Sequence, residues 1–389
     1  MKLPLLFLQA LPSLSSATLN IPRPGGPYGV NVATLGLTDS SRLDPFSPTP
    51  ENRSVVISVF YPLRPADGCE WKLVPVYPKR TAAVFDAEVA FAGVTNGTLE
   101  TVRMEVCVSK KAPLREYCAN NASQIPVVLF SGGLGLSRLW YSALAQSVAS
   151  FGFMVVTIDH PYDADVVEFP DGRIAYAINS TWDDAQSEQD VNVRTKDASF
   201  VLNELSKPGT INELFSGQCP PSQRTGLATK RTGIFGHSIG GATAAMAMFE
   251  DNRIVSGINL DGGLYGPVIK QGLTNPFLLF SHKDNSTTET WPDIWPHLNW
   301  KSEIEIVNST HTTFTDIPLL ADLIFGLPLP GFVQGVVGNI PGKRVRDVVT
   351  AYVVAMMKMA LKCEPQALLQ RPDPAFPEIE FVASPHRGK

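Results

Sequence analysis

Between residues 127 and 282 the chain repeats one kind of segment: VVLF, FMVVTIDHP, TGIFG, IVSGINLD and PFLLFSH. These runs are apolar on consecutive rather than alternate positions, so a strand made from any of them buries both of its faces. The segments between them carry helical periodicity. SRLWYSALAQSVASFG starts at Ser137, a suitable N-cap, places Leu139, Leu144 and Val148 on one face, and can end at Gly152. VRTKDASFVLNELS and SIGGATAAMAMFE read the same way, and RVRDVVTAYVVAMMKMALK predicts a long last helix. Lys358 interrupts its apolar run, which suits packing on a core better than crossing a membrane. Two-faced apolar strands alternating with helices predict an α/β fold with a mostly parallel central sheet and helices on both faces. In such sheets chemistry gathers at the carboxyl ends of the strands.

One turn at such an end stands out. GHSIG, at Gly236, His237, Ser238, Ile239 and Gly240, follows the TGIF strand and leads into a helix of small residues. The G-x-S-x-G pattern is weak alone, but strand-before and helix-after is the context a nucleophile elbow requires. A sharp turn lifts the serine hydroxyl off the backbone, and the flanking glycines avoid collisions with the neighbouring strand and helix. The helix that follows offers unpaired N–H groups to an oxyanion at its first turn. A second donor is expected from the glycine-rich loop FSGGLG, residues 130–135.

A serine needs a histidine to take its proton and a carboxylate to orient that histidine. In this fold the chain order is Ser, acid, His. His160 precedes the serine, His237 sits in the elbow with its side chain expected to point away, and His386 lies in a polar tail. Of His282, His297 and His311, the last is preferred: it follows an alternating strand, in a small polar loop able to reach the strand ends. Two acids remain open on the residues alone, Asp261 after IVSGINL and Asp284 after PFLLFSHK.

The first residues have another purpose. MKLPLLFLQALPSLSSA carries Lys2, a short apolar stretch and small residues at Ser15 and Ala17, the layout of a secretory signal over residues 1–17. Sequons begin at Asn52, Asn96, Asn121, Asn179, Asn285 and Asn308, more than the roughly two that composition would produce, which fits a glycosylated secreted protein. Cys69, Cys107, Cys118, Cys219 and Cys363 match no zinc spacing. In an oxidising compartment they allow up to two disulfides and one leftover thiol. A net charge of −5 with no basic block makes nucleic acid an unsuitable partner. Residues 18–389 then form one domain, with an elaborated N-terminal part over about 18–124. Its stretch IPRPGGPYGV is expected as an extended arm and SVVISVFYPL as a strand.

RPGGPYGV, VFYP, VVLFSGGLG, VRTKDASFVLNEL, IFGHSIGGATA, INLDGG and HTTFTD, in that order, resemble the plasma-type, calcium-independent platelet-activating factor acetylhydrolases, or lipoprotein-associated phospholipases, and their microbial relatives. The resemblance runs from about residue 22 to 362 and implies an α/β-hydrolase. It implies Ser238 as nucleophile, Asp261 as acid with Asp284 as the alternative, and His311 as base. The Leu134 and Ile239 N–H groups would form the oxyanion hole. It implies no metal and no organic cofactor, and a phospholipid with a short or oxidised acyl chain as substrate, with possible contact to a lipid surface. Where the family has HGLG, this chain has Ser131 before Gly132, Gly133, Leu134 and Gly135, which keeps the backbone donor and changes the packing of its loop. The apolar stretch 323–338 is read as a loop, buried against the core or lining an acyl site. The rival functions are a general carboxylesterase or polyester hydrolase, and an inactive binding domain on the same fold.

Overall fold

The computed structural model describes residues 18–64, 68–109, 125–178, 183–215, 226–283 and 289–383. The signal expected over 1–17, Cys118, Cys219, Asp284, His386 and the sequons at Asn121, Asn179 and Asn285 lie outside the described residues.

The strands in chain order are β1 (Leu19–Ile21), β2 (Gly29–Leu43), β3 (Asn52–Leu63), β4 (Cys69–Pro75), β5 (Val102–Ser109), β6 (Val127–Ser131) and β7 (Met154–Asp159). They continue with β8 (Val166–Glu168), β9 (Ile174–Tyr176), β10 (Thr232–His237), β11 (Ile254–Leu260), β12 (Phe277–His282), β13 (Lys301–Ile306) and β14 (Ile379–Ala383). Nine of them form one sheet in the order β14-β13-β12-β11-β10-β6-β7-β3-β2. The inner six, β13 to β7 in that order, pair in parallel, and β14, β3 and β2 are added antiparallel at the two edges. The two-faced strands of the sequence are the parallel ones, and β6, β7 and β10 are buried at every residue.

The helices are α1 (Lys79–Glu88), α2 (Ser142–Ala149), α3 (Asp184–Leu205), α4 (Pro208–Leu214), α5 (Ile239–Glu250), α6 (Val268–Gln271), α7 (Trp291–Ile294), α8 (Ile317–Phe325), α9 (Gly331–Val337) and α10 (Gly342–Lys362). Two large apolar clusters hold most of them, and a small one around Val333 and Val337 holds α9. One large cluster joins α2 and α10, through Leu144, Val148, Val349 and Val353, to the sheet; the other joins α3 and α5, through Val201, Leu205, Ala244 and Met246. The sheet is thus covered on both sides, as its two-faced strands require. Val348, Val353, Met356 and Met357 bury α10 in the core, and no described helix is long and apolar enough to cross a membrane.

The N-terminal elaboration is a small sheet, β1-β5-β4, carrying a Cys69–Cys107 disulfide; Cys363 is a free, exposed thiol. Of the arm expected over residues 21–30, Ile21 ends β1 beside β5, residues 22–28 are irregular, and Gly29 and Val30 open β2. The loop expected at 323–338 is a correction: it contains the end of α8 and all of α9. Ile317, Leu320 and Ile324 recur at helical spacing, and Val333 and Val337 are buried while Leu327 and Phe332 are exposed. Four glycines and two prolines in that stretch hid the periodicity.

Candidate active site

Ser238 sits between β10 and α5 at φ 56°, ψ −127°. A non-glycine residue with positive φ is strained and persists only where its surroundings enforce it. The enforcement is steric. A Cβ on Gly240 would lie 2.0 Å from the Ser131 carbonyl oxygen, and one on Gly236 would lie 2.0 Å from that of Gly240. Ile239 opens α5, so its N–H has no carbonyl one turn back to receive it.

Asp261 follows β11, also at positive φ, 64°. Asn259 pins the turn by accepting from Gly262 N–H and donating to Gly262 C=O, each at 2.8 Å. Here too glycine is obligatory, because a Cβ on Gly262 would fall 1.9 Å from the Ser238 carbonyl oxygen. The acid and the elbow are therefore packed backbone to backbone.

His311 opens a short 3-10 turn after β13. Its Nδ1 donates to Asp261 Oδ2 at 2.5 Å, while Asp284, the other acid the sequence left open, lies outside the described residues. A second imidazole shares that oxygen: His282 Nδ1 lies 2.7 Å from Oδ2, and the His282 backbone N–H donates to Oδ1 at 3.0 Å. Burial draws the Asp261 carboxyl upward, but the hydrogen bonds from His282 and His311 outweigh it and hold it down at about 2. Asp261 is thus an anion at every physiological pH. The ligand atoms of Asp261, His282 and His311 lie within 4.8 Å of one another, a spacing a metal ion could use. Both Nδ1 atoms are already engaged with the carboxylate, so a cation would have to displace two hydrogen bonds.

His237 does not simply turn away from the site. Its ring is buried 4.5 Å from that of His311, between Tyr141 OH at 2.9 Å from Nδ1 and the His311 carbonyl at 3.0 Å from Nε2. A carbonyl only accepts, so Nε2 carries the proton and Nδ1 accepts from Tyr141. Burial, then the nearby His311, push the His237 imidazole down to about 3, which keeps it neutral. Tyr141 in turn accepts from Gly133 N–H at 2.9 Å. One chain of hydrogen bonds therefore runs from the glycine-rich loop through the elbow histidine to the backbone of His311. Nothing in the sequence signalled this: a histidine beside a nucleophile has many roles, and Tyr141 is remote from it in the chain.

The N–H of Leu134 has no acceptor among the described residues, and neither do His311 Nε2 and the Ser238 hydroxyl have a hydrogen-bond partner there. These are the atoms an acyl-transfer reaction would use, and they are open to a ligand. His297 is exposed and stands apart from this cluster. Asn52, Asn96 and Asn308 are exposed, as a glycosylated asparagine must be.

The family model described as platelet-activating factor acetylhydrolase, isoform II, matches residues 14–363. A probable 1-alkyl-2-acetylglycerophosphocholine esterase of Arthroderma benhamiae is 31% identical over 398 residues, covering 97% of this chain and 97% of that protein. The platelet-activating factor acetylhydrolase of Cavia porcellus is 23% identical, covering 79% of this chain and 71% of its own. A ferulic acid esterase from Streptomyces cinnamoneus superposes with a TM-score of 0.76 at 31% identity, over 94% of this chain and all of that one. The chain is accordingly a hydrolase of the α/β-hydrolase fold, and it belongs to the platelet-activating factor acetylhydrolase isoform II family.

Proposed function

We propose that the chain is a secreted serine esterase that removes short sn-2 acyl groups from phosphocholine-type phospholipids through an acyl-enzyme on Ser238. The observation that carries the reading is the Asp261–His311 hydrogen bond packed against the Ser238 elbow, within this family. His311 Nε2 takes the Ser238 proton as the oxygen attacks the ester carbon, and Asp261 holds the imidazole in the tautomer that accepts it. The Leu134 and Ile239 N–H groups receive the carbonyl oxygen as it becomes an anion. His311 returns the proton to the departing lysophospholipid alcohol, and water, activated the same way, releases the acid. The scheme draws on side chains and backbone alone.

A lipid surface is a fitting partner. Phe91, Leu327 and Phe332 are exposed apolar side chains, and Phe91 and Phe332 rim a groove floored by Trp140, Leu320 and Val333. The groove is coupled to the His311 loop, since the Thr310 and Thr312 hydroxyls both donate to the Val336 carbonyl, at 2.7 and 2.6 Å. The Cys69–Cys107 disulfide and the exposed sequons support export.

The test is hydrolysis of two phosphocholine lipids that differ only at sn-2, acetyl against a long acyl chain, with a feruloyl ester beside them. Acetyl preference that disappears in Ser238→Ala supports the proposal. Ser238-dependent cleavage of the feruloyl or other simple esters alone would leave a general carboxylesterase. No labelling of Ser238 by a fluorophosphonate, with no turnover of any ester, would leave a binding domain.

A further inference from the structure

The stretch VRTKDASFVLNEL gives no group to the scheme above, yet its Arg194 reaches the glycine-rich loop. Arg194 is buried on α3. Its guanidinium donates from Nη1 to the Gly132 carbonyl at 2.5 Å and to the Ser131 hydroxyl at 3.3 Å, and from Nη2 to the Gly133 carbonyl at 3.2 Å. Nε and Nη2 also hold the Asp163 carboxylate, Nε at 2.6 Å.

Peptide geometry turns these contacts into a direction. In a trans peptide the C=O and N–H point to opposite sides, and among the described residues the cis bond lies elsewhere, at Leu327–Pro328. Holding the Gly132 carbonyl on the guanidinium sends Gly133 N–H the other way, onto Tyr141 OH. Holding the Gly133 carbonyl, which also accepts from Leu136 N–H at 3.2 Å, likewise aims Leu134 N–H away from Arg194. One planar fork fixes two successive peptide planes, a task a point charge on a flexible stem performs poorly.

The fork is itself locked. Ser131 Oγ lies 3.0 Å from His160 Nε2, His160 Nδ1 lies 2.9 Å from Asp197 Oδ2, and Asp197 is paired with Arg53 at 2.7 Å. Burial keeps the His160 imidazole below its usual range and neutral, so Nδ1–H donates to Asp197 and Nε2 accepts the Ser131 proton. That leaves the Ser131 oxygen free to accept from Arg194.

We propose that Arg194 is a positioning residue for the oxyanion hole, fixing through the Gly132 and Gly133 carbonyls the direction of the Leu134 N–H. The inference rests on the reading that Leu134 N–H meets the substrate oxyanion. The test compares the wild type with Arg194→Lys, which keeps the charge against Asp163, and with the neutral pair Arg194→Gln/Asp163→Asn, which leaves no unpaired buried anion. Each is assayed for kcat, KM and affinity for a trifluoromethyl ketone that forms a tetrahedral adduct on Ser238, with rates divided by the fraction of protein that a fluorophosphonate titrates. Deleting an oxyanion donor outright costs roughly 10²–10³ in kcat; a misaimed donor should cost about tenfold to a hundredfold, with KM within about threefold and the ketone weakened in parallel. A merely structural role would reduce the titrated fraction and leave each competent molecule unchanged, which would overturn the proposal. So would wild-type kcat and ketone affinity in either folded variant. If Ser238→Ala keeps its activity, the parent reading fails as well; if it is inactive while the Arg194 variants behave as wild type, only the present inference falls.

Discussion

On one side of Ser238 the glycine-rich loop rests on Arg194, Asp163, His160, Asp197 and Arg53, all buried and all paired. On the other, His311 has 39% of its side chain exposed and shares a single carboxylate oxygen with His282. Both sides hold charge at the same sheet end, but they handle it differently. The first wall holds its charges buried and paired, so it suits fixed dipoles. The second has a permanent anion, Asp261, and an imidazole with one nitrogen open, so it suits a proton that must move. Electrostatic preorganisation and proton transfer make opposite demands on mobility and solvent, and in the proposed mechanism this chain separates them across one serine.

Breaking the proton-moving wall has the largest expected consequence. Asp261→Asn keeps the shape of the turn but removes the anion that fixes the His311 tautomer. A fall in kcat on the order of 10⁴ is expected, with circular dichroism and thermal midpoint close to wild type. A residual rate near wild type would mean that the His282–Asp261–His311 cluster is not the proton relay.

Next comes the junction of the two walls. Gly240→Ala would drive a Cβ to 2.0 Å from the Ser131 carbonyl and 2.7 Å from that of Gly132, so the glycine-rich loop itself must move. Overpacking against backbone costs about 3 kcal/mol or more when nothing flexible can yield. Loss of activity by at least about a hundredfold should accompany a lower urea midpoint. Full activity with lowered stability would show that the loop tolerates displacement, and the contrast between a rigid and a mobile wall would dissolve.

These two cases also show what the sequence could reveal. The elbow was readable because its demands are local: Gly236 and Gly240 are two residues either side of Ser238, and the two-faced strand and small-residue helix adjoin it. The parallel sheet was readable for the same reason, from the apolar runs of β6, β7, β10, β11 and β12. The acid was not, because Asp261 and Asp284 both follow sheet strands, and which of them meets His311 depends on a contact 50 residues apart. His282 ends β12, and that its Nδ1 meets Asp261 is a property of neighbouring strand ends, not of any motif. Arg194 and His160 read as one more helix residue and one more histidine, since a buried network has no fixed spacing along a chain.

His282 offers a subtler break. His282→Asn removes one of the two imidazoles on Asp261 Oδ2 while the backbone N–H to Oδ1 stays. With less fixation of the carboxylate, kcat should fall by about tenfold or less. Stability responds with a definite sign. The Asp261 carboxyl is depressed in the folded state, so its contribution is present above the unfolded value near 4 and disappears as pH falls towards 2. Losing His282 should therefore move acid unfolding to higher pH, read by circular dichroism from pH 5 to 2. If His282→Asn is instead as damaging as His311→Asn, the two imidazoles act as one relay rather than as base and support.

The smallest effect probes the rim of the rigid wall. Asp165 N–H donates to the Gly135 carbonyl at 3.1 Å, just after Leu134, and its carboxyl faces that of Glu88. Burial, then the facing Asp165 carboxylate, push Glu88 up to about 8, and burial raises Asp165 as well. A folded-state value above the unfolded one near 4.3 means that the contribution is full below about pH 4 and is lost as pH rises through 8. Unfolding midpoints in urea should drop between pH 5 and 8.5, by less than about 1 kcal/mol once solvent screening of this half-buried pair is counted, and Glu88→Gln should flatten the slope. Should the same rise in pH also lower the trifluoromethyl ketone affinity in the wild type but not in Glu88→Gln, the second charge reaches the oxyanion loop through Gly135. The rigid wall would then be rigid only while its rim keeps a shared proton. An unchanged affinity would place the boundary between the two kinds of wall at Gly135 itself, with the Arg194 network insulating Leu134 from titration a few residues away.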